Sequence, residues 1–295
     1  HMAEPKEVLG MKFDVIIGNP PYQLSTGGAR VQAIPLYNKF IHQAKKLNPR
    51  YITMIVPSRW FSGGFGLDGF RDEMLNDRCL RVIHDYLEAT DVFPGVQIKG
   101  GVCYFLWDRD NPGDCTVVTH HGNRIGEPVT RPLLEKGSDI FIRYNEAIPI
   151  LHKVQEDTNE RMDKYVSAQR PFGFPTNYHG RKSKKSNDVL LYENGGIGYI
   201  NRTLITKGHH YTDKHKVLIA RAGSGSDSFP HPILGKPFMV YPNSACTETY
   251  LVIGPYESEE QCRNVISYIT TRFFRFLVLL RRPTQDAMRK VYLYS

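Results

Sequence analysis

The chain has no apolar run near the ~20 residues that a membrane-spanning helix requires. The nearest candidate, Phe273 to Leu280, is short and flanked by Arg272 and Arg281. Cysteine is sparse. Cys79, Cys103, Cys115, Cys246 and Cys262 are scattered, odd in number and never spaced as a CxxC pair. That excludes a disulfide framework and a structural zinc, and points to a reducing, cytoplasmic compartment. His120-His121 has no further ligand at metal-binding spacing, so no metal site is expected. Gly63-Gly64-Phe65-Gly66 lacks the lysine and the strand-to-helix setting of a phosphate loop and reads as a flexible connection. No PD-(D/E)xK pattern lies on a strand hairpin, so phosphodiester cleavage is not assigned. There is no secretory leader, and His1-Met2 reads as a cloning scar, so the native chain is expected to begin upstream.

What is present is organised around Asn19-Pro20-Pro21-Tyr22, at the end of the apolar run Phe13 to Gly18. The run is short, continuous and β-branched, and it predicts a buried parallel strand. Two consecutive prolines then forbid helix and ladder alike, so the chain continues as a stiff extended loop. Ligands of open parallel sheets bind at the carboxyl ends of the strands, where this loop lies. The exocyclic amine of adenine is a poor nucleophile, because its lone pair is delocalised into the ring. Two acceptors on its N–H bonds, the Asn19 side-chain oxygen and the Pro20 carbonyl, favour a tetrahedral nitrogen with a localised pair. Tyr22 can stack on a base turned out of the duplex.

The stretch Phe13 to Gln23 resembles the Asn-Pro-Pro-Tyr motif of the adenine-N6 DNA methyltransferases of restriction–modification systems. The resemblance implies an α/β fold: a partial Rossmann-like methyltransferase sheet over residues 11–125, a linker over 126–140, and a mixed α/β target-recognition domain over 140–295. It implies catalytic roles for Asn19, Pro20, Pro21 and Tyr22, S-adenosylmethionine as methyl donor, and double-stranded DNA as partner. A net charge of +8 favours a polyanionic partner. Leu36 to Ala44 resembles the helix after the catalytic loop, which makes Tyr37 and Phe40 the cofactor-lining candidates. Pro35 is expected to open that helix, at the position where its missing N–H costs nothing.

Further strands are expected at Tyr51 to Val56, Arg81 to Tyr86 and Gly101 to Trp107, with Cys115 to His120 returning as an antiparallel hairpin partner. Pro57-Ser58-Arg59-Trp60-Phe61 resembles the family's strand end, with Trp60 read as core. Leu67 to Asn76 and Ile140 to Gln155 read as helices, and Glu257 to Leu280 as one long helix capped near Ser258. Short strands are expected at Ile197 to Ile200, Lys216 to Ala220, Phe238 to Tyr241 and Thr249 to Ile253. In this second half Lys182, Lys184, Lys185 and Arg221 are the phosphate-binding candidates, with Lys207 and His209-His210 beside them and Tyr178, Tyr199 and Tyr211 interleaved.

The donor pocket is what the chain lacks. Residues 1–12 leave no room for a strand and glycine-rich turn before the catalytic loop. Val217 to Ser226 offers a strand and a glycine–serine turn, but Pro230, Pro232 and Pro237 forbid the helix that should follow. The chain is therefore expected to bind S-adenosylmethionine weakly and to need the N-terminal remainder of its own polypeptide as partner. Two other readings stay open: methylation of RNA or of a protein glutamine, and a DNA-specificity module without catalysis.

Overall fold

Strand β1 (Val15–Gly18) runs parallel to β4 (Tyr51–Pro57), with Ile17 beside Thr53 and Gly18 beside Met54. The structure, a computed structural model, describes residues 12–24, 34–64, 66–157, 160–221, 233–281 and 288–293. The sequence stretches 3–10, 25–31, Phe65, 222–226 and Arg282 lie outside them. The chain divides into two units, His1–Ile148 and Pro149–Ser295.

The first unit is built on a mixed sheet of order β1-β4-β6-β5-β7-β8, with β9 also on β7. Its remaining strands are β2 (Gln23–Leu24), β3 (Ile34–Pro35), β5 (Leu80–Tyr86), β6 (Val102–Asp108), β7 (Cys115–His121), β8 (Arg124–Ile125) and β9 (Val129–Arg131), of which β2 and β3 form a separate short ladder. Helices α1 (Tyr37–Lys46) and α2 (Asp68–Asn76) cover one face. Alternate residues of the central strands, Ile52, Met54, Val56, Cys103, Phe105 and Ile83, pack there with Tyr37, Ile41, Phe70 and Met74. Lys45 ties the helices together, its ammonium donating to Glu73 at 2.9 Å and Asp77 at 2.7 Å.

Several expectations are corrected. The run before Gly18 is parallel but not buried. It has one neighbour among the described strands, and Val15 and Ile17 are 47% and 77% exposed. Pro35 does not open a helix; it pairs with Gln23, and α1 starts at Tyr37. A residue locked at φ near −65° suits an edge ladder as well as a first helical turn. Cys115 to His121 is not the hairpin partner of β6. It crosses to the far side of β5 and runs parallel to it, Ile83 beside Val117. The expected linker contributes β9, which pairs with β7, and its Leu133 reaches the core.

The second unit has two three-stranded sheets. One is β11 (Gly196–Asn201), β10 (Asp188–Glu193) and β14 (Ser244–Cys246); the other is β13 (Phe238–Val240), β12 (His215–Ala220) and β15 (Tyr250–Tyr256). β12 is buried on both faces, as its unbroken apolar run requires. Leu218 meets Val189, Leu191 and Val240 in one core, whereas Val217 and Ile219 meet Cys262, Ile269 and Phe274 in another. Beside the short helices α3 (Ile148–Asp157) and α4 (His209–Thr212), this unit has α5 (Glu259–Ile269) and α6 (Arg272–Arg281). The single long helix is thus two. Ser258 and Gln261 form a reciprocal capping box on α5, and the hydroxyls of Thr270 and Thr271 bond back to main-chain carbonyls at the break. Arg281, the last residue of α6, is buried. Strands β10 and β14 were not anticipated; β14 has only three residues and draws its order from β10.

Candidate functional site

Asn19, Pro20, Pro21 and Tyr22, the residues expected to form the catalytic loop, follow the carboxyl end of β1. Asn19 and Pro21 are exposed, Pro20 is buried and Tyr22 is half-buried. Leu36 N–H donates to the Tyr22 carbonyl at 3.1 Å, which pins the far end of the loop. The Asn19 amide is thereby presented to solvent on a backbone that two prolines and one hydrogen bond restrain. The Tyr22 hydroxyl is buried without a hydrogen-bond partner, as is that of Tyr37. Burial, and then the neighbouring Cys103, push both phenols above their ordinary range, while Arg59 beside Tyr37 works the other way. Tyr22 and Tyr37 thus share Cys103 as an electrostatic neighbour. Burial lowers the Arg59 guanidinium somewhat.

Behind this loop lies a buried brace. Ser58 follows β4; its N–H donates to Gly101 O at 3.0 Å and its hydroxyl to Asp85 Oδ1 at 2.8 Å. Arg143 grips Asp85 with two further bonds of 2.6 Å. Burial alone would lower the Arg143 guanidinium, but the Asp85 carboxylate overrides it and holds the group above its ordinary value. Gly101 is required where it stands. Its φ is +80°, and a Cβ there would lie 2.0 Å from the Tyr86 carbonyl oxygen. The Cys103 thiol, pushed up to about 12 by burial and then by Asp85, is no nucleophile. Arg59 is held between Ser58 and the core residue Trp60, so it is delivered to the same sheet edge as Asn19. Sequence reasoning passes over Asp85, Arg143 and Arg59. Only Arg59, just past a strand end, carries a signal.

Tyr37 and Phe40, the cofactor-lining candidates, differ in exposure on α1. Tyr37 is 2% exposed, edge-on to Phe70 at 6.1 Å, whereas Phe40 is 45% exposed on the same helix. The glycine-rich turn before α2 does not serve as a phosphate loop. The Asp68 carboxylate accepts from Gly64 N–H at 3.0 Å and puts negative charge where an anionic group would sit.

In the second unit, Lys182, Lys184 and Lys185 are exposed on the turn before β10. Asp188, with its side chain fully buried, braces that turn by accepting from Lys185 N–H at 2.7 Å and from the Arg181 guanidinium, which holds the carboxyl below its usual range. Arg221 differs from the lysines. Its guanidinium lies 3.3 Å from Glu248, which Arg170 also contacts at 2.6 Å, so it has an internal counter-charge. No cluster of three or more metal-ligating side chains occurs among the described residues. No described helix is long and apolar enough to cross a membrane.

Residues 3–93 match the family model described as Eco57I restriction-modification methylase. An uncharacterized adenine-specific methylase of Mycoplasma pneumoniae is 39% identical over 114 residues, 37% of this chain and 26% of that protein. A protein of Methanocaldococcus jannaschii described as a type II restriction enzyme and methyltransferase is 24% identical over 231 residues, 69% of this chain and 19% of its own length. The chain thus spans about a quarter and a fifth of these two relatives. Among solved structures, the type IIL restriction-modification enzyme MmeI in complex with DNA aligns over 95% of this chain and 45% of its own, at 12% identity and a TM-score of 0.46. The type IIG restriction endonuclease BpuSI aligns over 97% and 48%, at 11% identity and a TM-score of 0.43.

Proposed function

We propose that a chain whose residues 3–93 match a restriction-modification methylase carries the catalytic loop and part of the DNA-binding surface of an enzyme that methylates adenine N6 in duplex DNA. The observation that carries the reading is the exposed Asn19, followed by Pro20, just past the carboxyl end of β1. In the reading, the Asn19 oxygen and the Pro20 carbonyl accept the two N–H bonds of the adenine amine and raise its nucleophilicity. Tyr22 stacks on the extruded base, since its hydroxyl is buried while the residue as a whole remains partly exposed. The methyl donor, S-adenosylmethionine by resemblance, supplies an electrophilic methyl group. The lysine turn before β10 contacts phosphate, which favours DNA over a protein glutamine as acceptor.

Replacing Asn19 by Ala in the whole polypeptide tests this, with methyl incorporation into duplex DNA and duplex affinity measured in parallel. Loss of one preorganised hydrogen-bonding group is expected to lower kcat by roughly 10²–10³-fold while affinity stays within about twofold. Full methylation by N19A would reject the reading in favour of a specificity module.

A further inference from the structure

We propose that Arg170 reads a guanine edge in the DNA target and that Glu248 holds it in place to do so. The proposal rests on the reading above for duplex DNA as the partner; it adds the base and the side chain that selects it.

Glu248 follows β14 and is buried. Two guanidiniums flank its carboxylate. Arg221 Nη1 donates to Oε1 at 3.3 Å, and Arg170 Nε donates to Oε2 at 2.6 Å. One cation is enough to neutralise one carboxylate, and Arg221, with a side chain 24% exposed, is the more enclosed of the two. Arg170 is the surplus, with a side chain 54% exposed. Its backbone has φ +53°, an uncommon value for a residue that carries a side chain. Gly173 N–H closes the turn by donating to the Arg170 carbonyl at 3.0 Å. Both ends of the side chain are thus fixed, the main chain by the turn and Nε by Glu248. The two terminal nitrogens form a rigid fork of donors with no partner among the described residues.

A second pair has the same build. His179 Nδ1 lies 3.3 Å from Glu193 Oε1, with the His179 side chain exposed, and Glu193 Oε2 accepts from Gly180 N–H at 2.6 Å. Glu193 ends β10, and Thr247 N–H donates to the Tyr192 carbonyl at 2.9 Å, so both carboxylates stand at one end of the β10–β14 pair. The lysine turn precedes the other end of β10, six residues or ~20 Å away. Phosphate contacts set register and base contacts specify, and the two kinds of cation divide along this strand. Chemistry selects the base. Guanine offers two acceptors, O6 and N7, to the major groove, and an arginine fork meets both. Adenine sets an amine donor beside its N7, and arginine has no acceptor for it. Phosphate is the poorer occupant. The Glu248 carboxylate, 2.6 Å from Nε, offsets the attraction for an anion but leaves hydrogen bonding to a neutral acceptor intact.

The test selects bound sequences from a pool of random duplexes on the whole polypeptide, either unaltered or with Arg170→Ala or Arg170→Lys. Methylation of the selected duplexes is measured separately. Expected is a motif containing a G·C pair whose preference falls by roughly 5–150-fold in R170A, the equivalent of one bidentate contact, while the other positions are retained. R170K keeps the charge but has no fork, so it should relax the same position; it carries the test if R170A does not fold. Glu248→Gln should relax that position too, and a motif unchanged by E248Q removes the holding role. A motif unchanged in both Arg170 variants overturns the proposal. So does a uniform loss of affinity across all sequences, which would make Arg170 a phosphate contact, and so does the absence of any preferred sequence in the unaltered protein. Selective binding without methylation would reject the functional reading and leave the role of Arg170 intact; methylation with a motif indifferent to Arg170 would do the reverse.

Discussion

Arg143 clasps Asp85 in a two-pronged ion pair, Nε to Oδ2 and a terminal nitrogen to Oδ1 each at 2.6 Å, around a carboxylate with no solvent exposure. The same carboxylate receives the Ser58 hydroxyl. Removing one partner of such a pair strands the other, so Asp85→Ala is expected to destabilise its unit by about 3–5 kcal/mol. Both tryptophans, Trp60 and Trp107, belong to this unit. Urea unfolding followed by their fluorescence therefore reads the loss directly.

Tyr22 separates stacking from hydrogen bonding. Its hydroxyl is buried and unpartnered. Tyr22→Phe is expected to leave stability unchanged or raise it by about 1 kcal/mol, since a desolvated polar atom is removed. It should also keep most of kcat/KM in the whole enzyme. Tyr22→Ala is expected to lower kcat/KM by roughly 5–150-fold, the equivalent of about 1–3 kcal/mol of base stacking. Steady-state kinetics on duplex DNA distinguishes the two.

His84 and His120 make the first unit sensitive to acid. Their ring nitrogens meet at 2.9 Å, and the rings stack on Tyr104 and Tyr86 respectively. Burial lowers both below the ordinary value of 6.5. His120 lowers His84 further, while Asp85 and Asp91 partly oppose the shift of His120. The unfolded chain therefore takes up protons at a higher pH than the native one. Stability is intact above about 6.5 and falls as the pH drops from there through the lower native values. Urea midpoints should decline between pH 7.5 and 5.5, with a shallower decline in His120→Gln. Equal slopes in the two proteins would remove this pair as the cause.

The lysine turn and Arg221 are expected to respond differently. Lys182→Gln, Lys184→Gln and Lys185→Gln together should weaken duplex binding and reduce its salt slope by about one for each phosphate that is no longer neutralised. Arg221→Gln breaks an internal pair with Glu248. It should lower the stability of the second unit and leave the salt slope unchanged. Binding titrations at several salt concentrations read both.

Much of the local order was legible in the residues. The apolar run before Gly18, the strand Tyr51 to Val56 and the helix after Leu67 all carry strong short-range patterns, and each appears within a residue or two of its expected place. The candidate site was legible in part. Asn19-Pro20-Pro21-Tyr22 sits at the end of its strand, but Asp85 and Arg143 lie 58 positions apart and meet only in space. Nothing near either residue announces the other.

Composition and pattern alone determined the stiff loop, the element types and the excess of positive charge, because proline geometry and hydrophobic periodicity act over a few residues. Tertiary structure decided that β1 stands at an edge, that β7 passes β6 to lie parallel to β5, and that Arg221 is neutralised within its own unit. Those outcomes depend on which surfaces meet across long stretches of chain. Neighbours distant in sequence, not local propensity, set the burial of a strand and the partner of a charge.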